Sequence, residues 1–124
     1  MNQIADFIIR FRQGNKKKLE LKQTNVISSL LDTLEKTGYI NYSLLDSKKQ
    51  GMMTIEVSNN RVQGMELISK NSRDVFLSYS DLLCDSKLKS TSCFYILATS
   101  KLGIISSWEA LENKIGGKIL VRVW

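Results

Sequence analysis

Histidine and proline are both absent from this chain of 124 residues. Without histidine, the usual general base at neutral pH and the commonest metal ligand are missing. The missing prolines are unusual but carry no functional reading. Cysteine is scarce, with Cys84 and Cys93 alone. They have neither C-x-x-C spacing nor a histidine to join them, so no metal site is indicated, and a disulfide is open but not required. The simpler reading is two buried or half-buried thiols in a reducing compartment. Long apolar runs are lacking too. The longest is Cys93 to Ala98, six residues, far short of the ~20 that span a bilayer. The opening "MNQIADFIIRFRQG" places Asp6 before the apolar residues and bases after them, the wrong order for a secretory signal.

What is present has the make-up of a soluble globular protein: 43% hydrophobic and 24% charged residues. The length suits one ordinary domain or two small subdomains sharing a core. The net charge of +6 is uneven. Residues 1–22 carry six Lys/Arg against two acids, residues 23–69 four against five, and residues 70–124 eight against five. Two basic ends around a near-neutral middle suggest a polyanion held by both.

Ile4, Ile8 and Phe11 recur at helical spacing, so residues 3–13 read as an amphipathic helix ended by Gly14-Asn15. "KKKLELK" alternates as a short strand. Thr24 or Asn25 caps a second helix with the stripe Val26, Ile27, Leu30, Leu31 and Leu34, and Gly38 stops it. "YINYSLL" and "MMTIEV" form a hairpin. "SNNRVQG" is polar and turn-rich, and marks a boundary between subdomains at 1–60 and 61–124. Beyond it, "MELIS", "DVFLSY" and "CFYILA" read as strands, with a short irregular or helical piece at "SDLLCDS". Ser106 to Glu109 is a capping box opening a helix to about Lys114, with Leu111 and Ile115 inward. Gly116 or Gly117 ends it, and "KILVRVW" is a last strand. The fold class is α+β: two helices on a small sheet, then a mainly antiparallel sheet with one short helix.

Catalytic readings are weak. Ser100 and Lys101 are adjacent, so their side chains diverge where a nucleophile pair must converge. "IGGKI" lacks the first glycine and the hydroxyl residue of a phosphate loop. A binding reading fares better. Thr99, Ser100 and Lys101 leave a buried strand, Gly103 lets the backbone turn, and the helix begun at Ser106 presents amides to an anion. Hydroxyls beside a lysine suit the shallow minor groove of RNA. Arg10, Arg12, Lys16, Lys17 and Lys18 form a basic segment with no interleaved aromatics, which favours phosphate contacts over base stacking. No cofactor, metal, membrane or small-molecule substrate is expected.

"IADFIIRFRQGNKKKLELKQTNVISSLLDTLEKTGYI" resembles the opening of the small-subunit ribosomal protein family numbered eight. Ile4, Ala5, Asp6, Arg10, Arg12, Gly38, Tyr39 and Ile40 stand at matching places. "ATSKLGIISSWEAL…IGGKILVRVW" resembles that family's ending, S-T-S-K-G-[IVL]-[ML]-x4-A…G-G-E-[IL]-[IL]-x-x-V-W. In one alignment Ala98 replaces the first serine and Leu102 is an extra residue; a gapless alternative sets Thr99-Ser100 on the S-T pair. Phe76 stands where tyrosine is frequent, and Lys118 where glutamate is.

The resemblance implies a structural, non-enzymatic protein that binds an irregular hairpin in the central domain of small-subunit ribosomal RNA. It implies that the Thr99–Lys101 loop enters the minor groove, and that neighbouring ribosomal proteins, notably the family numbered five, pack nearby. A free RNA-binding regulator acting on a messenger mimic of that site is the alternative, and an enzyme using Ser100 a more distant one. The missing prolines and richness in Lys, Asn, Ser, Ile and Leu point to a mitochondrial ribosome, with plastid or reduced bacterial ribosomes as alternatives.

Overall fold

Helix α1, Gln3–Arg12, buries Phe7, Ile8 and Phe11. The computed structural model describes residues 3–12, 18–45, 50–69, 73–85 and 93–124, so the expected Gly14-Asn15 stop lies outside the described residues. The apolar face of α1 is centred one position from the expected stripe, because Phe7 and Phe11, four residues apart, stack with ring centroids 5.6 Å apart. Ile4 sits at the margin of that face.

Strand β1, Lys18–Lys22, alternates as its sequence dictates: Leu19 and Leu21 are buried, and Lys18, Glu20 and Lys22 are exposed. It pairs antiparallel with β3, Met52–Asn60, which also pairs with β2, Ile40–Leu45, giving the order β1-β3-β2. Leu19 faces Ile55 and Leu21 faces Met53 across the ladder, so one face of this sheet is apolar. Helix α2, Asn25–Lys36, buries Ile27, Leu30, Leu31, Thr33 and Leu34. It packs against α1 and β2, while α1 packs against β1.

Thr24, rather than Asn25, is the N-cap of α2. Its hydroxyl accepts from the Ile27 amide at 3.3 Å and donates to Gln3 Oε1 at 2.8 Å, joining the starts of both helices. The far end closes in a Schellman motif, with Gly38 N–H on Glu35 O and Tyr39 N–H on Leu34 O. Gly38 has φ of +83° there, a conformation that glycine takes without penalty. These elements belong to the first of two compact units, Met1–Val62 and Gln63–Trp124.

The second unit is built on β8, Gly117–Val123. It pairs with β6, Phe94–Thr99, on one side; on the other it pairs with β4, Met65–Leu67, and β5, Phe76–Leu77. Strand β7, Gly103–Ser106, continues the sheet beyond β6. All pairings are antiparallel. "MELIS" and "DVFLSY" thus form shorter strands than expected. They share one side of β8, and Ser69 bridges the gap between them. Its hydroxyl donates to Ile119 O and accepts from Val75 N. "DVFLSY" stops early because Ser78 caps helix α3, Tyr79–Cys84, in a full capping box with Asp81. Hydrogen bonds from the Ser78 amide and hydroxyl hold the Asp81 carboxyl below its usual range.

Helix α4, Ser107–Glu112, and α3 pack together. The core cluster of this unit is Leu82, Tyr95, Leu97, Ile105, Ala110 and Ile119, with Leu111 and Ile115 against it. Tyr95 donates its hydroxyl to Asp85 Oδ2 at 3.1 Å, and burial beside that carboxylate pushes the phenol up to about 12. Cys84 is exposed and Cys93 buried, and no disulfide joins them.

The double glycine does not end α4. The helix closes at Asn113 and turns through Lys114, which has φ of +58°. Lys114 N–H bonds Leu111 O and Ile115 N–H bonds Ala110 O, a Schellman closure with lysine where glycine is usual. Gly116 and Gly117 serve a different need. A Cβ on Gly116 would lie 2.2 Å from Leu77 O, and one on Gly117 would lie 2.4 Å from Ala98 O. Only glycine lets β8 thread between β5 and β6.

Two outcomes test this packing by chemical denaturation. Leu31 has 0% exposure, so Leu31→Asp lowers stability by about 3 to 5 kcal/mol, because it buries an unpaired charge. Lys114→Gly raises stability by about 1 kcal/mol by removing the cost of a left-handed side-chain residue. A loss of stability in the second variant would contradict the assigned closure.

Candidate nucleic-acid interface

Residues Ser100, Lys101 and Leu102 connect β6 to β7, whose last cross-strand pair is Thr99 with Gly103. The hairpin stands on rigid ground, since Phe94 to Leu97 are all buried. Ser107, fully buried at the start of α4, accepts from the Tyr95 amide at 3.0 Å and ties the base of the hairpin to the helix.

The two hydroxyls of the turn have separate positions. Thr99 Oγ1 donates to Gly103 O at 2.8 Å and accepts from Leu102 N at 3.0 Å. Its proton is therefore committed to the turn, and what remains to it is acceptor capacity. Ser100, Lys101 and Leu102 are exposed around it. Gly103 has φ of +71° with open space where a Cβ would be, so the backbone angle sets its identity. The turn was visible in the sequence, but the separation of the hydroxyls was not. Its one sequence signal is a threonine three residues before a backbone N–H that its side chain can reach.

Ser106 is the N-cap that the sequence predicts. It is 7% exposed, and its hydroxyl accepts from the Glu109 amide at 3.2 Å. That hydroxyl caps α4, and Ser106 also ends β7 opposite Ile96.

The basic segment belongs to the first unit, and the structure does not make its members equivalent. Arg10 Nε donates to Asp6 Oδ2 at 3.1 Å and Nη1 to Glu20 O at 3.0 Å, so it fastens α1 to β1. Arg12 and Lys18 are exposed. Lys16 and Lys17 lie outside the described residues. Among the described residues, no group of three or more His, Cys, Asp or Glu could hold a metal ion, and no helix is long and apolar enough to cross a membrane.

Fold, charge and relatives together define a structural ribosomal protein of the small subunit, not an enzyme. The sequence profile described as Ribosomal protein S8 matches residues 2–124, and the chain belongs to that family. It is 32% identical over 133 residues to small ribosomal subunit protein uS8 of Kosmotoga olearia, covering 98% of this chain and 96% of that protein. The same coverage holds for the uS8 of Petrotoga mobilis, at 29% identity, and for that of Streptococcus agalactiae, at 27%.

The hydrogen bonds of the turn give a direct test. Thr99→Ala removes two of them and lowers the stability of the protein by about 1 to 2 kcal/mol. Ser100→Ala leaves it unchanged. Equal thermal midpoints for the two variants would refute the division between them.

Proposed function

We propose that this chain binds an irregular hairpin in the central domain of small-subunit ribosomal RNA through the Thr99–Gly103 turn. The observation that carries this reading is an exposed serine and lysine at the tip of a hairpin whose strand is buried. In this reading Ser100 hydrogen-bonds the minor-groove edge or a 2′-OH, and Lys101 meets a phosphate. Thr99 fixes the turn and offers an acceptor to a 2′-OH, and Ser106 supports the turn from within. Residues 61–124 are the RNA-reading subdomain. Residues 1–60 add phosphate contacts through Arg12, Lys16, Lys17 and Lys18, with Arg10 holding α1 against β1.

Ribosomal proteins of the family numbered five are the proposed neighbours. The proposed compartment is a mitochondrial ribosome, supported by the missing prolines and the Lys- and Asn-rich composition. The bacterial relatives support a bacterial-type protein. Sedimentation of the native protein with small subunits of isolated mitochondria tests that assignment, and co-migration with a plastid or bacterial subunit would overturn it.

Binding isotherms at several salt concentrations test the site. Thr99→Ala with Ser100→Ala weakens binding to the central-domain hairpin about 10- to 100-fold, with little change in salt slope. Lys101→Ala lowers that slope by roughly one unit and weakens unrelated duplexes as well. Parent-like affinity in the double variant would reduce the turn to scaffold.

A further inference from the structure

Lys118 lies one strand away from the turn, on a row that the register defines. It is the Cα partner of Ala98 on β6 and of Phe76 on β5, and Ala98 in turn partners Ile104 on β7. Cross-strand partners project to the same face of a sheet, and successive residues to opposite faces. Ile119 points into the core cluster with Leu97, so Lys118 projects to the other face. Its companions there are Phe76, which is 67% exposed, and the half-buried Ala98 and Ile104. Ala98 is too small to screen the lysine from the turn.

Paired strands set Cα atoms about 5 Å apart, and two residues along a strand add roughly 7 Å. Lys118 is therefore within about 10 Å of Ser100 at the backbone, less than the length of its side chain plus that of a bound nucleotide. The ammonium meets Asp74 Oδ1 at 3.0 Å, with the two side chains 35% and 51% exposed. An ion pair so open to water is weak and exchanges readily for a better anion.

We infer that Lys118 is a second cation of the RNA site, one that leaves Asp74 for a phosphate of the strand lying across the Ser100–Lys101 turn. The inference rests on the proposed RNA-binding role of that turn. A lysine serves as a point charge, with no base to read. Its contribution therefore appears in counterion release and not in sequence preference.

The test is binding of the central-domain rRNA hairpin, and of an unrelated RNA duplex, across a series of salt concentrations. Lys118→Gln should lower the salt slope by roughly one unit and weaken both RNAs by a similar factor of about 3 to 10. Lys118→Arg should keep the parent slope, a rescue that a purely structural role would not require. Asp74→Asn should tighten binding by freeing the ammonium. If Lys118→Gln keeps the parent slope and affinity while Lys101→Ala lowers them, the Lys118 contact is refuted and the role of the turn stands. If both variants bind like the parent, the RNA-binding role of the turn falls as well.

Discussion

Strand β8 occupies its place only because two consecutive residues carry no side chain. Gly116 passes against the backbone of Leu77 and Ser78, and Gly117 against the carbonyl of Ala98. Everything else in the second unit is referred to that strand. Strands β4 and β5 are held by it on one side, and β6 takes its register from it on the other. The turn from Thr99 to Gly103 is then an outgrowth of β6, so its position depends on close backbone approaches on both sides of the start of β8. Any Cβ at these glycines would push β8 from β5 or β6, and the displacement would reach the turn through the β6 ladder.

The end of β8 uses the reverse arrangement, a large ring over a glycine. Gly64 and Trp124 exchange both backbone hydrogen bonds, and the indole lies where a Cβ of Gly64 would stand, 2.4 Å away. The Arg122 guanidinium sits 4.6 Å from the centroid of that ring and bonds Glu66 at 3.2 Å. The aromatic ring supplies the packing surface that glycine lacks in a strand, and the cation adds attraction to its face. The unit is thus tied at one end by the absence of side chains and at the other by the largest one available.

Much of this was legible in the sequence because it rests on local patterning. The alternation in "KKKLELK", the stripe from Ile27 to Leu34 and the glycine stop at Gly38 each state their structure within a few residues. The misreadings have a common cause. Gly116 and Gly117 follow a helix, so they read as its stop. Their true constraint comes from Leu77 and Ala98, which are distant in sequence. Ser106 to Glu109 reads as a capping box, and its hydroxyl half is present. Its burial depends on a strand pairing with Ile96 that no local pattern reveals. The hydroxyl–lysine turn was recognised as a unit, but the direction of each hydrogen bond depends on how tightly the turn closes. The basic segment was legible as charge alone, and the engagement of Arg10 with Glu20 O required the packing of α1 on β1.

The placement of β8 also sets an order in time. The sheet of the first unit is complete once Asn60 has been made, since β3 pairs with strands that precede it. The second sheet cannot be completed before β8 is made, because that central strand follows all its partners, and Met65 must wait for Val123. At synthesis rates of about 5 to 20 residues per second, making the second half of the chain takes roughly 3 to 12 s, and β4 and β5 lack their β8 partner until its end. During that interval Phe94 to Ala98, the most apolar run in the protein, has β7 as its one available neighbour. The first unit can fold while the second waits, so the segment most exposed to misassembly or chaperone capture is the strand that later carries the turn.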